Sequence, residues 1–68
     1  MNAIERLEQS GFTVPQIARE LGVTRQAVGM WKRGTVPRGE NFTALVRLAE
    51  TRGLRLLAED FRPRTQAA

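Results

Sequence analysis

Gly22-Val23-Thr24-Arg25-Gln26-Ala27-Val28-Gly29-Met30-Trp31-Lys32-Arg33, with Ala18 four residues ahead of it, is the stretch on which the fold turns. Gly22 suits a tight turn, where a Cβ would be strained. Thr24 is a good N-cap, and Val23 and Val28 on either side of it have the spacing of a hydrophobic staple. Val28 and Trp31, three apart, share one helical face. Arg25, Gln26, Gly29, Met30 and Arg33 fall largely on the other. The pattern predicts a turn feeding a short helix over residues 25–33, closed by Gly34, with a buried inner face and a polar outer one. The spacing of Trp31 from Val28 assigns the indole to the core.

Charge singles out the same stretch. Between Glu20 and Glu40 there is no acidic residue, while Arg25, Lys32, Arg33 and Arg38 all lie there and account for the whole net charge of +4. The remaining seven basic and seven acidic residues cancel. A small chain that concentrates its net charge on one segment offers that segment to a polyanion.

The 68 residues make one domain near the lower limit for folding without staples. With no cysteine and no histidine, the chain has no disulfide, no thiolate metal site and no imidazole base. Most carboxylates have basic neighbours at helical spacing, as Glu5 and Glu8 have Arg6, and no Gly-rich phosphate loop or nucleophile motif is present. These features argue against an enzyme, and no metal or cofactor is expected. There is no apolar run of membrane-spanning length and no signal-peptide segment, so a soluble cytoplasmic protein is expected.

Elsewhere, capping signals set out the helices. Asn2 with Glu5 forms a capping box for a first helix starting at Ala3, with Ile4 and Leu7 as its apolar stripe and Gly11 as its stop. Thr13 with Gln16 does the same for a second helix. Phe12 and Ile17 are spaced as a staple, Pro15 lies in the first turn, Ile17, Ala18 and Leu21 face inward, and Gly22 ends it. After Thr35-Val36-Pro37, a fourth helix starts at Pro37 or Gly39 and stops near Gly53, with Phe42, Leu45, Val46 and Ala49 on one face. Leu54, Leu57 and Phe61 fit a short fifth helix, which is preferred, since leucine, alanine and glutamate are good helix formers. Leu54, Leu56 and Ala58 fit a strand equally well. The expected architecture is a compact all-α domain of four to five helices over residues 1–62 and a flexible tail over 63–68; the alternative ends in a strand after four helices.

Ile17-Ala18-Arg19-Glu20-Leu21-Gly22-Val23, then Val28, Trp31-Lys32 and Val36-Pro37, resemble the Cro-like, lambda-repressor-like helix-turn-helix proteins of phages and bacteria. The resemblance covers residues 12 to about 50 and is carried by alanine, glycine and branched residues at fixed offsets. One departure is Gly29, where that family more often has serine; glycine weakens the helix by about 1 kcal/mol relative to alanine.

The resemblance implies double-stranded DNA as partner and helix 25–33 as the element that enters the major groove. Arg25 and Gln26 stand at the helix start, which reaches base edges; arginine pairs bidentately with guanine and glutamine with adenine. Met30 suits a thymine methyl, and Gly29 allows close backbone approach. Lys32, Arg33 and Arg38 are expected on phosphates, as are Thr13, Gln16 and Thr24 at helix N-termini. Leu54, Leu56, Leu57 and Phe61 exceed what a tiny core easily buries, so they are expected in a homodimer interface, formed at least on DNA. A two-fold dimer would present two recognition helices about 34 Å apart. The resulting expectation is a Cro-like repressor at a near-palindromic operator, with little room for a ligand-sensing or activation domain. The competing readings are an antitoxin-like autoregulator that also binds a toxin and an excisionase-like DNA bender.

Overall fold

The computed structural model describes residues 2–62. Among them run four α-helices, α1 (Ala3–Gln9), α2 (Val14–Leu21), α3 (Arg25–Lys32) and α4 (Glu40–Glu50), followed by a 3-10 helix over Ala58–Phe61; no strand forms. The flexible tail expected over 63–68 lies outside the described residues.

The helix starts follow from local chemistry. The Asn2 Oδ1 accepts from the Ile4 N–H at 2.7 Å, while the Asn2 N–H donates to Glu5 Oε1 at 2.8 Å. At α2 the Thr13 Oγ1 accepts from the Gln16 N–H at 3.2 Å, and the Thr13 N–H donates to Gln16 Oε1 at 2.9 Å. These are reciprocal capping boxes, satisfying donors that the first helical turn leaves orphaned. The N–H of Ala27 finds Thr24 Oγ1 at 3.1 Å. The fourth helix begins at Glu40 with Gly39 as its N-cap, the later of the two expected starts, and Pro37 is buried in the connector ahead of it.

All four helices stop by one device. The N–H groups of Phe12, Val23, Thr35 and Leu54 reach back to the carbonyls of Leu7, Ala18, Met30 and Ala49, and each preceding glycine also bonds the last turn. This is the Schellman arrangement, which needs a left-handed residue at its corner. Gly22, at φ 70 and ψ 32, is that residue between α2 and α3. Its turn packs Val23 against the core and sets the direction in which α3 leaves.

The core lies where the helices meet. Ile4 and Leu7 of α1, Ile17 and Ala18 of α2, Val28 and Trp31 of α3, and Leu45 and Ala49 of α4 are all buried. Ala18 is small enough for α2 to cross α3 closely, and these two form the most extensive helix pair. The Phe42 ring of α4 meets Phe61 at 6.0 Å between centroids, tilted by 60°.

The expected short fifth helix forms over Ala58–Phe61, in 3-10 form. Residues 54–57 ahead of it carry no regular secondary structure, and Leu57, its N-cap, is extended at φ -120 and ψ 160. Along 54–57 the side chains alternate, with Leu54 and Leu56 inward and Arg55 and Leu57 outward. That is the period of the strand reading, but no strand forms among the described residues. The Asp60 carboxylate accepts from the Leu57 N–H at 2.7 Å, which tightens the turn and returns Phe61 to the core, where it is fully buried.

Candidate nucleic-acid interface

The third helix has two unlike faces. Val28 is fully buried and Trp31 is 5% exposed, while Arg25, Gln26, Met30 and Arg33 are exposed. The outer face therefore offers a guanidinium, an amide and a thioether in the first two turns. Gly29 is half-buried on the same helix, and a Cβ there would lie an ordinary 3.7 Å from Arg33 Nη1, so packing does not demand the glycine.

The helix ends carry a consistent electrostatic pattern. The first turn of α1 holds Glu5 and that of α4 holds Glu40, which compensate the positive ends of those helices. The first turns of α2 and α3 contain no acidic residue. Thr13 and Thr24 cap them and are exposed, as is Gln16, whose Oε1 is held by Thr13 and whose Nε2 remains a donor. Each of these two helix N-termini, with no acid in its first turn, is suited to an anion. Arg38 is exposed in the connector between α3 and α4, where its carbonyl accepts from the Asn41 N–H at 3.2 Å.

Not every expected basic contact stands free. Lys32 Nζ lies 2.9 Å from Glu8 Oε1 on α1. Glu8, through its hydrogen bond and then its charge, raises the Lys32 pKa above its ordinary 10.5, with a smaller contribution from Glu5. Arg25, Arg33 and Arg38 make no ion pair among the described residues.

The leucine-rich end lies largely against the core of its own chain. Leu56 and Phe61 are buried in the core of the single chain, and Leu54 packs half-buried against that core. Alternation along 54–57 turns most of this apolar surface inward within the single chain. Leu57, 49% exposed, is the member left at the surface.

Two residues that position the site were not foreseen. Beyond its cap, the Asn2 side chain donates through Nδ2 to the Trp31 carbonyl at 3.1 Å and the Phe61 carbonyl at 3.0 Å. One amide thus joins the start of α1, the end of α3 and the 3-10 turn at Phe61. Arg52, following α4, donates from Nη1 to the Ser10 carbonyl at 2.9 Å and stacks 4.6 Å over the Phe12 ring, clamping the turn between α1 and α2. Sequence spacing carries no signal for contacts this distant, although Arg52 beside the Gly53 stop marks it as a helix-end residue.

Among the described residues no cluster of acidic groups could hold a metal ion, and no helix is long and apolar enough to cross a membrane. No curated protein and no solved structure matches the chain. A family model described as helix-turn-helix matches residues 4–52, the span from α1 through α4. With its capped α2, glycine turn and two-faced α3, the protein belongs to the Cro-type helix-turn-helix family of DNA-binding regulators.

Proposed function

We propose that this DNA-binding regulator is a Cro-type transcriptional repressor that reads a near-palindromic operator as a homodimer and acts by occupying a promoter. The observation that carries the reading is the outer face of α3, exposed at Arg25, Gln26 and Met30 on a helix whose first turn holds no carboxylate. In this reading Arg25, Gln26 and Met30 touch base edges in the major groove, and Gly29 lets the backbone approach. Thr13, Gln16, Thr24, Arg33 and Arg38 hold phosphates and fix the register. The setting in this reading is the cytoplasm of a bacterium or phage-infected cell. An antitoxin-like role would draw on an apolar C-terminal surface, of which Leu57 is the large apolar side chain exposed after α4 among the described residues.

The test is a titration against DNA flanking the protein's own gene and against a scrambled duplex, at several salt concentrations. An operator-reading repressor binds the flank at least about a thousandfold tighter, with a steep salt dependence. Equal, weak binding to a flank and to duplexes selected from a randomised library would overturn the proposal. Strong bending with modest base preference would favour an architectural role instead.

A further inference from the structure

We propose that Lys32 is a positioning residue for the recognition helix, tethering the last turn of α3 to α1 through Glu8, and that it does not contact a phosphate. The inference rests on the DNA-reading function above and changes the membership of its contact set.

The geometry separates Lys32 from the other cations of the acid-free window. It is the last residue of α3, next to buried Trp31, and its ammonium sits 2.9 Å from the Glu8 carboxylate. Glu5, one helical turn before Glu8, adds to the negative field at the same ammonium. A phosphate approaching Lys32 would meet these two carboxylates and would have to displace one from a short, charge-assisted bond. Arg25 and Arg33, on the same helix, face no such competitor within ion-pair distance.

The tether also lies where a tilt of α3 would matter. The Asn2 amide holds the Trp31 carbonyl, so the end of α3 is fixed to α1 at two successive residues, Trp31 by its backbone and Lys32 by its side chain. The inner turns of α3 are held by Val28 and Trp31 in the core. Losing the outer tether leaves the fold intact and loosens the angle at which Arg25 and Gln26 are delivered. Base readout depends on that angle; attraction to the phosphate chain does not.

The two roles make opposite demands on a charge exchange. Wild type, Lys32→Met, Arg38→Ala and the double exchange Glu8→Lys with Lys32→Glu are titrated against the duplex selected from a randomised library and its scrambled form, across salt. Under the tether, Lys32→Met weakens the selected duplex about two- to fivefold, the scale of an exposed ion pair. Its binding to the scrambled duplex and its salt slope stay as in wild type, and the exchanged pair restores selectivity. Under phosphate contact, Lys32→Met weakens both duplexes and lowers the slope by about 0.9, and a glutamate at 32 makes binding worse still; that result overturns the inference. Arg38→Ala calibrates the slope. If wild type itself prefers no duplex, the DNA reading has failed. The tether is then decided by hydrogen exchange at the last turn of α3, which Lys32→Met accelerates and the exchange restores if the tether holds α3; unchanged exchange refutes it.

Discussion

Replacing Asn2 should expose how much of this small fold hangs on a single amide. The side chain does two separable things. Its Oδ1 caps α1 at Ile4, and its Nδ2 bridges the carbonyls of Trp31 and Phe61. Serine keeps the capping oxygen and removes the bridge; alanine removes both. The Trp31 carbonyl keeps other donors, since the Gly34 N–H also reaches it at 3.1 Å, so its loss is mild. The Phe61 carbonyl belongs to a fully buried residue and loses its side-chain donor. One hydrogen bond with a part-desolvated acceptor left behind puts Asn2→Ser at about 1–2 kcal/mol. Adding the cap, at about 1 kcal/mol, puts Asn2→Ala near 2–3 kcal/mol.

That is a large share for a domain whose core supplies on the order of 3–5 kcal/mol of net stability. Urea unfolding followed through the buried single tryptophan, Trp31, and through far-ultraviolet circular dichroism reads both losses. With a slope of about 1 kcal/mol/M for so small a protein, Asn2→Ala should move the midpoint down by about 2–3 M. The serine variant should fall between it and wild type. An Asn2→Ser variant within about 0.3 kcal/mol of wild type would refute the bridge, whatever alanine does, because serine isolates it from the cap.

The remaining predictions concern the clamp, the reading face, the exposed leucine and the ion pair. Arg52→Ala should cost about 1–2 kcal/mol, combining a cation–π contact at an exposed site with one hydrogen bond, and lower Tm by about 4–16 °C; an unchanged Tm would mean that the Phe12 stack is idle. Arg25→Ala or Gln26→Ala should lose about 1–3 kcal/mol on the selected duplex and little on a scrambled one, and equal losses on both would remove them from base readout. Leu57→Asp should shift sedimentation toward monomer and weaken operator binding together; an unchanged mass would end the case for a C-terminal dimer contact. The pair with Glu8 raises the Lys32 pKa above 10.5, so its contribution is fully present below the ordinary lysine value and lost as pH rises through the raised one. The stability gap between wild type and Lys32→Met should therefore hold steady from about pH 7 to 9 and close in the alkaline range, as urea midpoints across pH would show.

The helices were legible because their ends are written in local chemistry. Asn2 with Glu5, Thr13 with Gln16, and Gly11, Gly22, Gly34 and Gly53 act within a few residues of themselves, and each does what its spacing announced. The buried face of α3 was legible for a related reason, since Val28 and Trp31 fix a helical phase that no competing element disturbs. The C-terminal segment was not. Leu54, Leu56, Leu57 and Phe61 satisfy the helical and the extended periods at once, and the choice fell to a tertiary fact, the depth of the pocket that Phe61 fills beside Phe42.

The same distinction divides the candidate site. That Arg25 and Gln26 lie outward follows from phase alone. Which cations are free to meet a phosphate does not, because Glu8 is 24 positions from Lys32 and nothing in either local sequence joins them. The pairing becomes intelligible only once α1 is seen to lie along the end of α3, held there by Asn2. A chain this short has few acids to spend, and it places them selectively: Glu5 and Glu40 in the first turns of α1 and α4, Glu8 against Lys32, Asp60 within the closing turn and near Arg6 at 3.7 Å. The N-termini of α2 and α3 are left without a first-turn acid, and Arg25, Arg33 and Arg38 are among the arginines without an ion pair among the described residues. A positive surface here is thus made as much by where carboxylates are withheld as by where arginines are put. Introducing one acid at the start of either helix, as in Thr24→Asp, should strengthen the helix cap while weakening DNA binding; gains in both would show that the N-terminus of α3 does not face the phosphate chain.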